Sequence, residues 1–318
     1  MFNYLSMFTY VLLAAVLFIL VLEGLWRWVL KKPVKPFTVR DCVCVITGGS
    51  SGLGLELARQ LLEQGAKNVI LIARDEKRLM SAKKELRSDD KVIIQSADVC
   101  SYSSLKAAAE DIGEVDYLFC CAGASEPGFF LEQEPEAFAR GINLNYLGSV
   151  YTCKAFAKNM LKRGGKIVLV SSTVGLMGLV GYAQYSPTKF AIRGLAECLR
   201  GELRPMGIDV HVYYVGTIDT PGYAQENLKK PMITKQLEGT ECSDSSPKAR
   251  VNTLLKGLEK GEFAICSDFL TRAIKEVHGL SRPNHGIVIS MLLGFFSPIA
   301  GIVWTCYSDY LIGKGTAK

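Results

Sequence analysis

The sequence predicts an α/β protein with a doubly wound parallel sheet and an apolar segment near each end of the chain. Three features of the 318 residues lead to this prediction. Short apolar runs alternate with amphipathic stretches, the first run ends in a cluster of glycines, and long apolar segments occupy residues 7–30 and 286–307. Regular alternation of strand and helix is typical of a parallel sheet covered by helices on both faces.

Composition and charge argue against several classes of protein. The net charge is +6, and basic and acidic residues interleave along the middle of the chain, which argues against a nucleic-acid surface. Anionic lipid headgroups or a phosphorylated cofactor suit this modest basic excess better. The ten cysteines form no CxxC pair and the three histidines lie far apart, so we expect no metal site and reduced thiols facing the cytosol.

The first element is the apolar segment 7–30, which is long enough to cross a bilayer as a helix. No positive charge precedes it and no small-residue cleavage site follows it, which argues against a cleaved signal peptide. Trp26 and Trp28 suit a membrane interface, and the basic residues around and after them predict a cytosolic main domain. We therefore expect residues 1–35 to form a membrane anchor, with Glu23 reaching the interface near the helix end.

From residue 36 the alternating pattern predicts six strands. The apolar runs lie at residues 42–47, 69–73, 92–96, 117–121, 167–171 and 210–215. Their continuous apolar character is expected of strands that are buried on both faces. The polar stretch 225–249 predicts a lid of loop and helix rather than core. We assign residues 36–270 to one Rossmann-type domain.

The last element is the apolar segment 286–307. Its length permits a span, but Lys314 and Lys318 would then lie on the lumenal side. An element lying at the membrane interface is favoured, and a spanning helix and a soluble core helix remain as alternatives. We expect residues 271–318 to form a C-terminal membrane-associated segment.

A glycine-rich loop follows the first predicted strand and opens a helix, with the sequence TGGSSGLG. In this context Gly48 permits a tight turn, Gly52 lets the backbone approach a pyrophosphate, and Gly54 allows close helix packing. The N-terminus of the helix offers N–H donors to phosphate, and Ser50 and Ser51 add hydroxyl donors. The loop therefore predicts a dinucleotide-binding site.

The residue after the second strand favours NADPH over NADH. An NAD site usually has an acidic residue at this strand end, but here Ala73 is followed by Arg74. A guanidinium there, with Arg78 one turn later, favours a 2′-phosphate, although a solvated arginine is the alternative. Asp98, after the third strand, is expected to accept from the adenine amino group or to cap the next helix.

Ser172, Tyr185 and Lys189 form a candidate catalytic group. Tyr185 and Lys189 are four residues apart and so share one face of a helix. An ammonium in a site that excludes water is expected to lower the pKa of the phenol by roughly 2–3 pH units, which suits acid–base work near neutrality. Ser172 would hydrogen-bond the substrate carbonyl oxygen, with Ser171 as the alternative, and Asn145 would relay protons to Lys189 through water.

Residues 40–270 resemble the short-chain dehydrogenase/reductase family. The matching elements are the glycine loop together with Asn145, Ser172, Tyr185 and Lys189. The resemblance also implies that Ile218 and Thr220 bind the nicotinamide carboxamide. It implies a mechanism in which a hydride passes from the nicotinamide to a ketone carbon while the tyrosine donates a proton.

Within that family, stretches at 145–151, 190–197 and 219–227 resemble the reductases of long-chain ketosphingoid lipids, of the fungal kind. This resemblance implies an NADPH-dependent enzyme of the endoplasmic reticulum membrane whose catalytic domain faces the cytosol. The sequence departs from the usual family motifs at two places, in the central sheet and at the hinge of the lid. The Asn-Asn-Ala-Gly usual in the family is CCAG at residues 120–123, and its Pro-Gly is Val215-Gly216.

Two alternatives differ in function. The first is another membrane-bound reductase of the same fold, acting on retinoids, steroids or 3-ketoacyl thioesters. The second is a non-catalytic NADPH-binding scaffold, against which the intact Ser172, Tyr185 and Lys189 argue. The family often forms homo-oligomers through the helices that carry Asn145 and Tyr185, but the sequence leaves the oligomeric state and the chain-length preference open.

Overall fold

The computed structural model describes residues 37–238 and 245–278, together with a few isolated positions nearer the two termini. In these ranges seven parallel strands form one sheet with the order β3-β2-β1-β4-β5-β6-β7. The strands are β1 Val43–Thr47, β2 Asn68–Ala73, β3 Val92–Ser96, β4 Tyr117–Cys120, β5 Gly165–Ser172, β6 Ile208–Val215 and β7 Ala264–Cys266. The predicted doubly wound parallel sheet is confirmed.

The helices connect successive strands and cover both faces of the sheet. Numbered along the described chain, they are α1 Gly52–Glu63, α2 Glu76–Leu86, α3 Tyr102–Ile112, α4 Pro135–Gly141, α5 Gly148–Met160, α6 Ser186–Leu203, α7 Pro221–Lys229, α8 Met232–Glu238, α9 Pro247–Glu259 and α10 Phe269–His278. A π-helix, Ile142–Leu147, joins α4 to α5.

Two hydrophobic cores lie on opposite faces of the sheet, because successive side chains of a strand point to opposite sides. Val45 belongs to the core that contains Phe156 of α5. Its neighbour Ile46 belongs to the core that contains Leu57 of α1 and Leu254 of α9. All five side chains are fully buried, which explains why the strands are apolar at every position rather than at alternate ones.

The six predicted strands are present, and β5 and β6 each begin two residues earlier than predicted. The seventh strand, Ala264–Cys266, was missed because three residues are too few to give a periodic signal. It pairs with β6 at the sheet edge, where Val212 is opposite Ala264.

The stretch 225–249 is more helical than predicted. It contains the end of α7, all of α8 and the start of α9. Helix α9 buries Val251 and Leu254 in a core, so the lid is confined to α7 and α8, which lie over the carboxyl edge of the sheet.

Most of the predicted membrane segments lie outside the described residues. Within the described ranges, no helix is both long enough and apolar enough to cross a bilayer. Helix α10 crosses the predicted domain boundary between residues 270 and 271, and Thr271 and Lys275 are buried. The hydroxyl of Thr271 lies 2.7 Å from that of Thr173, so α10 packs onto the catalytic domain.

Candidate active site

A cavity of about 1220 Å³ opens at the carboxyl edge of the sheet. It is lined by the glycine loop after β1 and by the segments that follow β4, β5 and β6. Strands β1 and β4 are neighbours in the sheet, so the chain reverses its direction of winding between them. Ligands of open parallel sheets bind at such a switch point, which makes this cavity the candidate site.

The glycine loop packs so closely that two of its positions exclude a side chain. Gly48 has φ +71°, and a Cβ there would lie 2.8 Å from the backbone nitrogen of Ala122. A Cβ on Gly54 would lie 2.5 Å from the carbonyl oxygen of Gly48. The predicted tight turn and close helix packing are therefore both confirmed, and they bring the start of α1 to the cavity.

The N-terminus of α1 is open to a ligand. Ser50, Ser51 and Gly52 line the cavity, and Ser51 occupies the N-cap position without a capping hydrogen bond from its side chain to any described residue. By contrast, Asp75 caps α2 and Ser101 caps α3. The first N–H groups of α1 lack intrahelical partners and carry the positive end of the helix dipole, so the residues present fit a pyrophosphate group.

The residues predicted for the adenosine end lie beside this cavity rather than in its wall. Arg74 and Arg78 are exposed after β2, and Asp98 is partly buried after the neighbouring β3. The carboxylate of Asp98 accepts a hydrogen bond of 2.9 Å from the backbone of Cys100, and the N-cap of α3 is Ser101. The alternative that Asp98 caps this helix is therefore wrong. The predicted contact of Asp98 with adenine stays a prediction.

Ser172, Tyr185 and Lys189 meet in the cavity. Ser172 ends β5, Tyr185 precedes the first residue of α6, and the Ser172 hydroxyl is close enough to lower the pKa of the Tyr185 phenol. The Lys189 ammonium lies 5.4 Å from the centroid of the Tyr185 ring. The hydroxyl of Ser171 instead donates to the carbonyl oxygen of Lys189 at 2.9 Å, so the structure favours Ser172 over Ser171 as the serine beside the phenol.

The pKa of Tyr185 departs from the sequence prediction in sign. Burial raises the pKa of the phenol well above its usual value, the Glu226 carboxylate raises it further, and the nearby Ser172 hydroxyl lowers it. The Lys189 ammonium, which donates to the carbonyl oxygen of Val170 at 3.0 Å, does not outweigh these effects. The phenol is consequently protonated near neutral pH, which is the form that can donate a proton to a carbonyl oxygen.

The side chain of Lys189 is buried, and the pKa of its ammonium is low for a lysine. Burial lowers its pKa to about 8, and the neighbouring Cys121 and Cys120 act in the opposite direction. Its side chain is surrounded by the ends of β4 and β5, with Val170 as hydrogen-bond acceptor. The ammonium therefore predominates at pH 7 but is lost on modest alkalinisation.

Asn145 lies in the π-helix and is fully buried. Its amide oxygen accepts from the Ala124 backbone N–H at 3.0 Å, and its amide nitrogen donates to the Ala124 carbonyl at 2.9 Å. A Cβ on Gly123 would lie 2.8 Å from the Asn145 oxygen and 3.4 Å from the Lys189 nitrogen. Asn145 thus holds the loop after β4 near Lys189, and its proton relay through water stays a prediction.

Ile218 and Thr220 line the cavity in the segment between β6 and α7. The Thr220 hydroxyl caps α7 by accepting from the Tyr223 N–H at 3.1 Å. The Thr220 methyl group lies 3.1 Å from the position of a Cβ on Gly52, so this segment closes over the start of α1. Their contact with a nicotinamide carboxamide stays a prediction.

A polar cluster in the cavity wall was missed by the sequence analysis. Its members come from the loop after β4, from the segment before α6 and from the lid: Ser125, Tyr182, Glu226, Lys230 and Glu238. The lid residues looked like the solvated face of a surface helix, because a Glu and a Lys four positions apart commonly form an exposed ion pair. That spacing was the only signal available.

Comparisons with known proteins agree with this geometry. A family model described as short chain dehydrogenase matches residues 42–231. A 3-ketodihydrosphingosine reductase of Dictyostelium discoideum is 33% identical over 305 residues, covering 89% of this chain and 91% of the relative. A 3-dehydrosphinganine reductase of Danio rerio is 42% identical over 240 residues, covering 72% of each chain.

Solved structures share the fold. A short chain dehydrogenase from Burkholderia cenocepacia in complex with NADP superposes with a TM-score of 0.65 at 26% identity, covering 76% of this chain and 93% of that chain. A short-chain dehydrogenase from Sphingobium yanoikuyae in complex with NADPH superposes with a TM-score of 0.62 at 26% identity, covering 71% and 87% respectively.

The pKa of Lys189 predicts how carbonyl reduction depends on pH. With a ketone that has no titratable group, we expect kcat/KM to fall about tenfold per pH unit above pH 8, because the ammonium is lost while the phenol stays protonated. Lys189→Arg keeps its charge at alkaline pH and should move this fall upward. Identical alkaline profiles of the two proteins would assign the fall to another group.

Proposed function

The chain belongs to the short-chain dehydrogenase family, and we propose that it reduces 3-ketodihydrosphingosine to dihydrosphingosine with NADPH in sphingolipid synthesis. The observation that carries the proposal is the meeting of Tyr185, Ser172 and Lys189 in the cavity that also contains the open N-terminus of α1. A dinucleotide and a ketone can then share one cavity, with a proton donor beside the carbonyl oxygen.

The chemistry of this site is the conversion of a carbonyl to a secondary alcohol. When bound, NADPH supplies the hydride that forms the new C–H bond at the carbonyl carbon. Ser172 and Tyr185 hydrogen-bond the carbonyl oxygen and stabilise the negative charge that develops there. The Tyr185 proton then passes to that oxygen, which completes the hydroxyl group. The Lys189 ammonium stabilises the phenolate left behind.

The remaining wall of the cavity suits a long alkyl chain. Apolar side chains line it beside the lid and beside α10, among them Met177, Leu179, Leu237, Leu270 and Ile274. Burying methylene groups against such a wall contributes about 0.8 kcal/mol each. A retinoid or steroid would also fit an apolar wall, so the long chain alone does not select the ketosphingoid substrate.

The test of the function is an assay of the purified full chain with NADPH and 3-ketodihydrosphingosine, following dihydrosphingosine formation. We expect Tyr185→Phe to lower kcat by about 10³-fold or more, because the proton donor is lost, while NADPH binding is retained. Turnover of a retinoid with none of the ketosphingoid would favour the alternative reductase. A fully active Tyr185→Phe protein would overturn the mechanism.

Preference for NADPH over NADH is proposed to depend on Arg74. We expect Arg74→Ala to raise KM for NADPH about tenfold or more and KM for NADH less than about twofold, because only NADPH carries the 2′-phosphate. Arg204→Ala is the matched control, since Arg204 is an exposed arginine just before β6, at the opposite edge of the sheet. Equal changes for both cofactors in Arg74→Ala would remove the role of this guanidinium.

We further propose that the chain resides in the endoplasmic reticulum membrane with its catalytic domain in the cytosol. The apolar segment 7–30 and the basic residues around its end support this orientation. Protease added outside intact microsomes is expected to degrade the catalytic domain without detergent. A domain protected until detergent is added would reverse the orientation. Pairing of two copies through the helical segments that carry Asn145 and Tyr185 stays a prediction.

A further inference from the structure

The polar cluster in the cavity wall, hereafter the lid cluster, is tightly connected. The Glu226 carboxylate accepts hydrogen bonds from the hydroxyls of Ser125 and Tyr182 and lies 2.9 Å from the Lys230 ammonium. Lys230 also pairs with Glu238 at 2.6 Å. The cluster therefore joins α7 and α8 of the lid to the segment that leads into Tyr185.

The lid cluster has more acceptor oxygens than donor protons. The Tyr182 hydroxyl lies between the two carboxylates, 2.6 Å from Glu238 and also beside Glu226, yet it has one proton to donate. A carboxylate accepts about four hydrogen bonds, so both Glu226 and Glu238 retain capacity. The lid cluster can therefore accept further hydrogen bonds from a bound ligand.

The charge of the lid cluster is unbalanced. Two carboxylates face one ammonium, and the side chains are 18%, 17% and 0% exposed for Glu226, Glu238 and Lys230. Within the described residues, Glu126 of the cavity wall pairs with Arg140 and Asp268 with Arg250, and the cations Lys189 and Lys229 also line the cavity. The excess of negative charge is therefore local to the lid cluster, where a cation bound to Glu226 would offset it.

This surplus charge lies beside the reacting centre. Glu226, Glu238 and Tyr185 line the same cavity, and the ring centroids of Tyr182 and Tyr185 are 5.9 Å apart. The Glu226 carboxylate is close enough to Tyr185 to raise the pKa of its phenol. A cation bound to Glu226 would therefore lie next to a carbonyl group held by Tyr185 and Ser172.

We propose that Glu226 binds the ammonium group of an amino ketone substrate and so selects ketones with an amino group beside the carbonyl. The proposal rests on the proposed function, because 3-ketodihydrosphingosine carries its amino group on the carbon next to the keto carbon. With the carbonyl oxygen on Tyr185 and Ser172, that group lies on the adjacent carbon, inside the cavity that Glu226 also lines. The ammonium donates to the remaining lone pairs of Glu226 and offsets the excess negative charge of the lid cluster.

Binding of the ammonium also assists proton transfer. The negative charge of Glu226 opposes formation of the Tyr185 phenolate, because like charges close together in a poorly solvated site repel. An ammonium on Glu226 neutralises this repulsion during the step in which the phenol loses its proton. The amino group is therefore expected to raise kcat as well as lower KM.

The test compares 3-ketodihydrosphingosine with the same long-chain hydroxy ketone lacking the amino group, using the full chain and NADPH. We expect the wild type to prefer the amino ketone at least about 30-fold in kcat/KM. Glu226→Gln keeps the shape and removes the charge, and should lower kcat/KM for the amino ketone about 10- to 100-fold. For the ketone without the amino group, kcat/KM should not fall by more than about threefold and is expected to rise, because the charge that opposes the phenolate is removed.

Two further variants serve as controls. Glu126→Gln makes the same change in the same cavity, at a carboxylate paired with Arg140, and is expected to leave the ratio of the two kcat/KM values unchanged. Glu226→Asp keeps the charge and should retain most of that ratio. The ratio is measured within one protein sample, so a partly unfolded variant alters both values equally and leaves the ratio interpretable.

The outcomes separate this inference from the proposed function. A wild type that reduces the two ketones equally well, or a ratio unchanged in Glu226→Gln, overturns the role of Glu226 while the function stands. A Glu226→Gln protein that loses both activities alike assigns the residue a structural role and also overturns the proposal. A wild type that reduces other ketones but not 3-ketodihydrosphingosine overturns the proposed function itself.

Discussion

The active site depends on how α6 docks onto β5. Lys189 makes two hydrogen bonds to the end of this strand, since its carbonyl accepts from the Ser171 hydroxyl and its ammonium donates to the Val170 carbonyl. These contacts hold the start of α6 at one place along β5 and so bring Tyr185 beside Ser172. Because charge-assisted bonds in a buried site are strong and directional, one lysine both orients the proton donor and places a positive charge near it.

Two opposite charges act on the proton donor from different layers of the fold. The Lys189 ammonium belongs to the sheet side of the cavity, whereas the Glu226 carboxylate belongs to the lid. Burial and Glu226 keep the phenol protonated, and Lys189 stabilises the phenolate formed when the proton leaves. A substrate that neutralises Glu226 shifts this balance towards proton transfer. In this way the lid connects substrate recognition with the chemical step.

The local sequence pattern predicted much of the site. The predictions that failed or stayed open depended on the directions of side chains, which a local pattern does not give. The glycine loop is a continuous segment whose function depends on its own turn, so Gly48 and Gly54 were assigned correctly from the sequence. Ser171 and Ser172 are adjacent in sequence and were hard to separate, because only their opposite directions from β5 distinguish them. The sign of the Tyr185 pKa shift was predicted wrongly, since spacing reveals a nearby lysine but not where its ammonium points.

By itself, the sequence determined the fold class, the cofactor loop, the candidate residues Tyr185 and Lys189 with Ser172 or Ser171, and the family resemblance. These features follow from periodicity and short motifs, which are local properties of a chain. Only the tertiary structure decided the electrostatics of the site and revealed the lid cluster. Glu226 and Lys230 come from the lid, and Ser125 and Tyr182 from distant segments. Burial and charge pairing between such segments depend on packing, which no local pattern specifies.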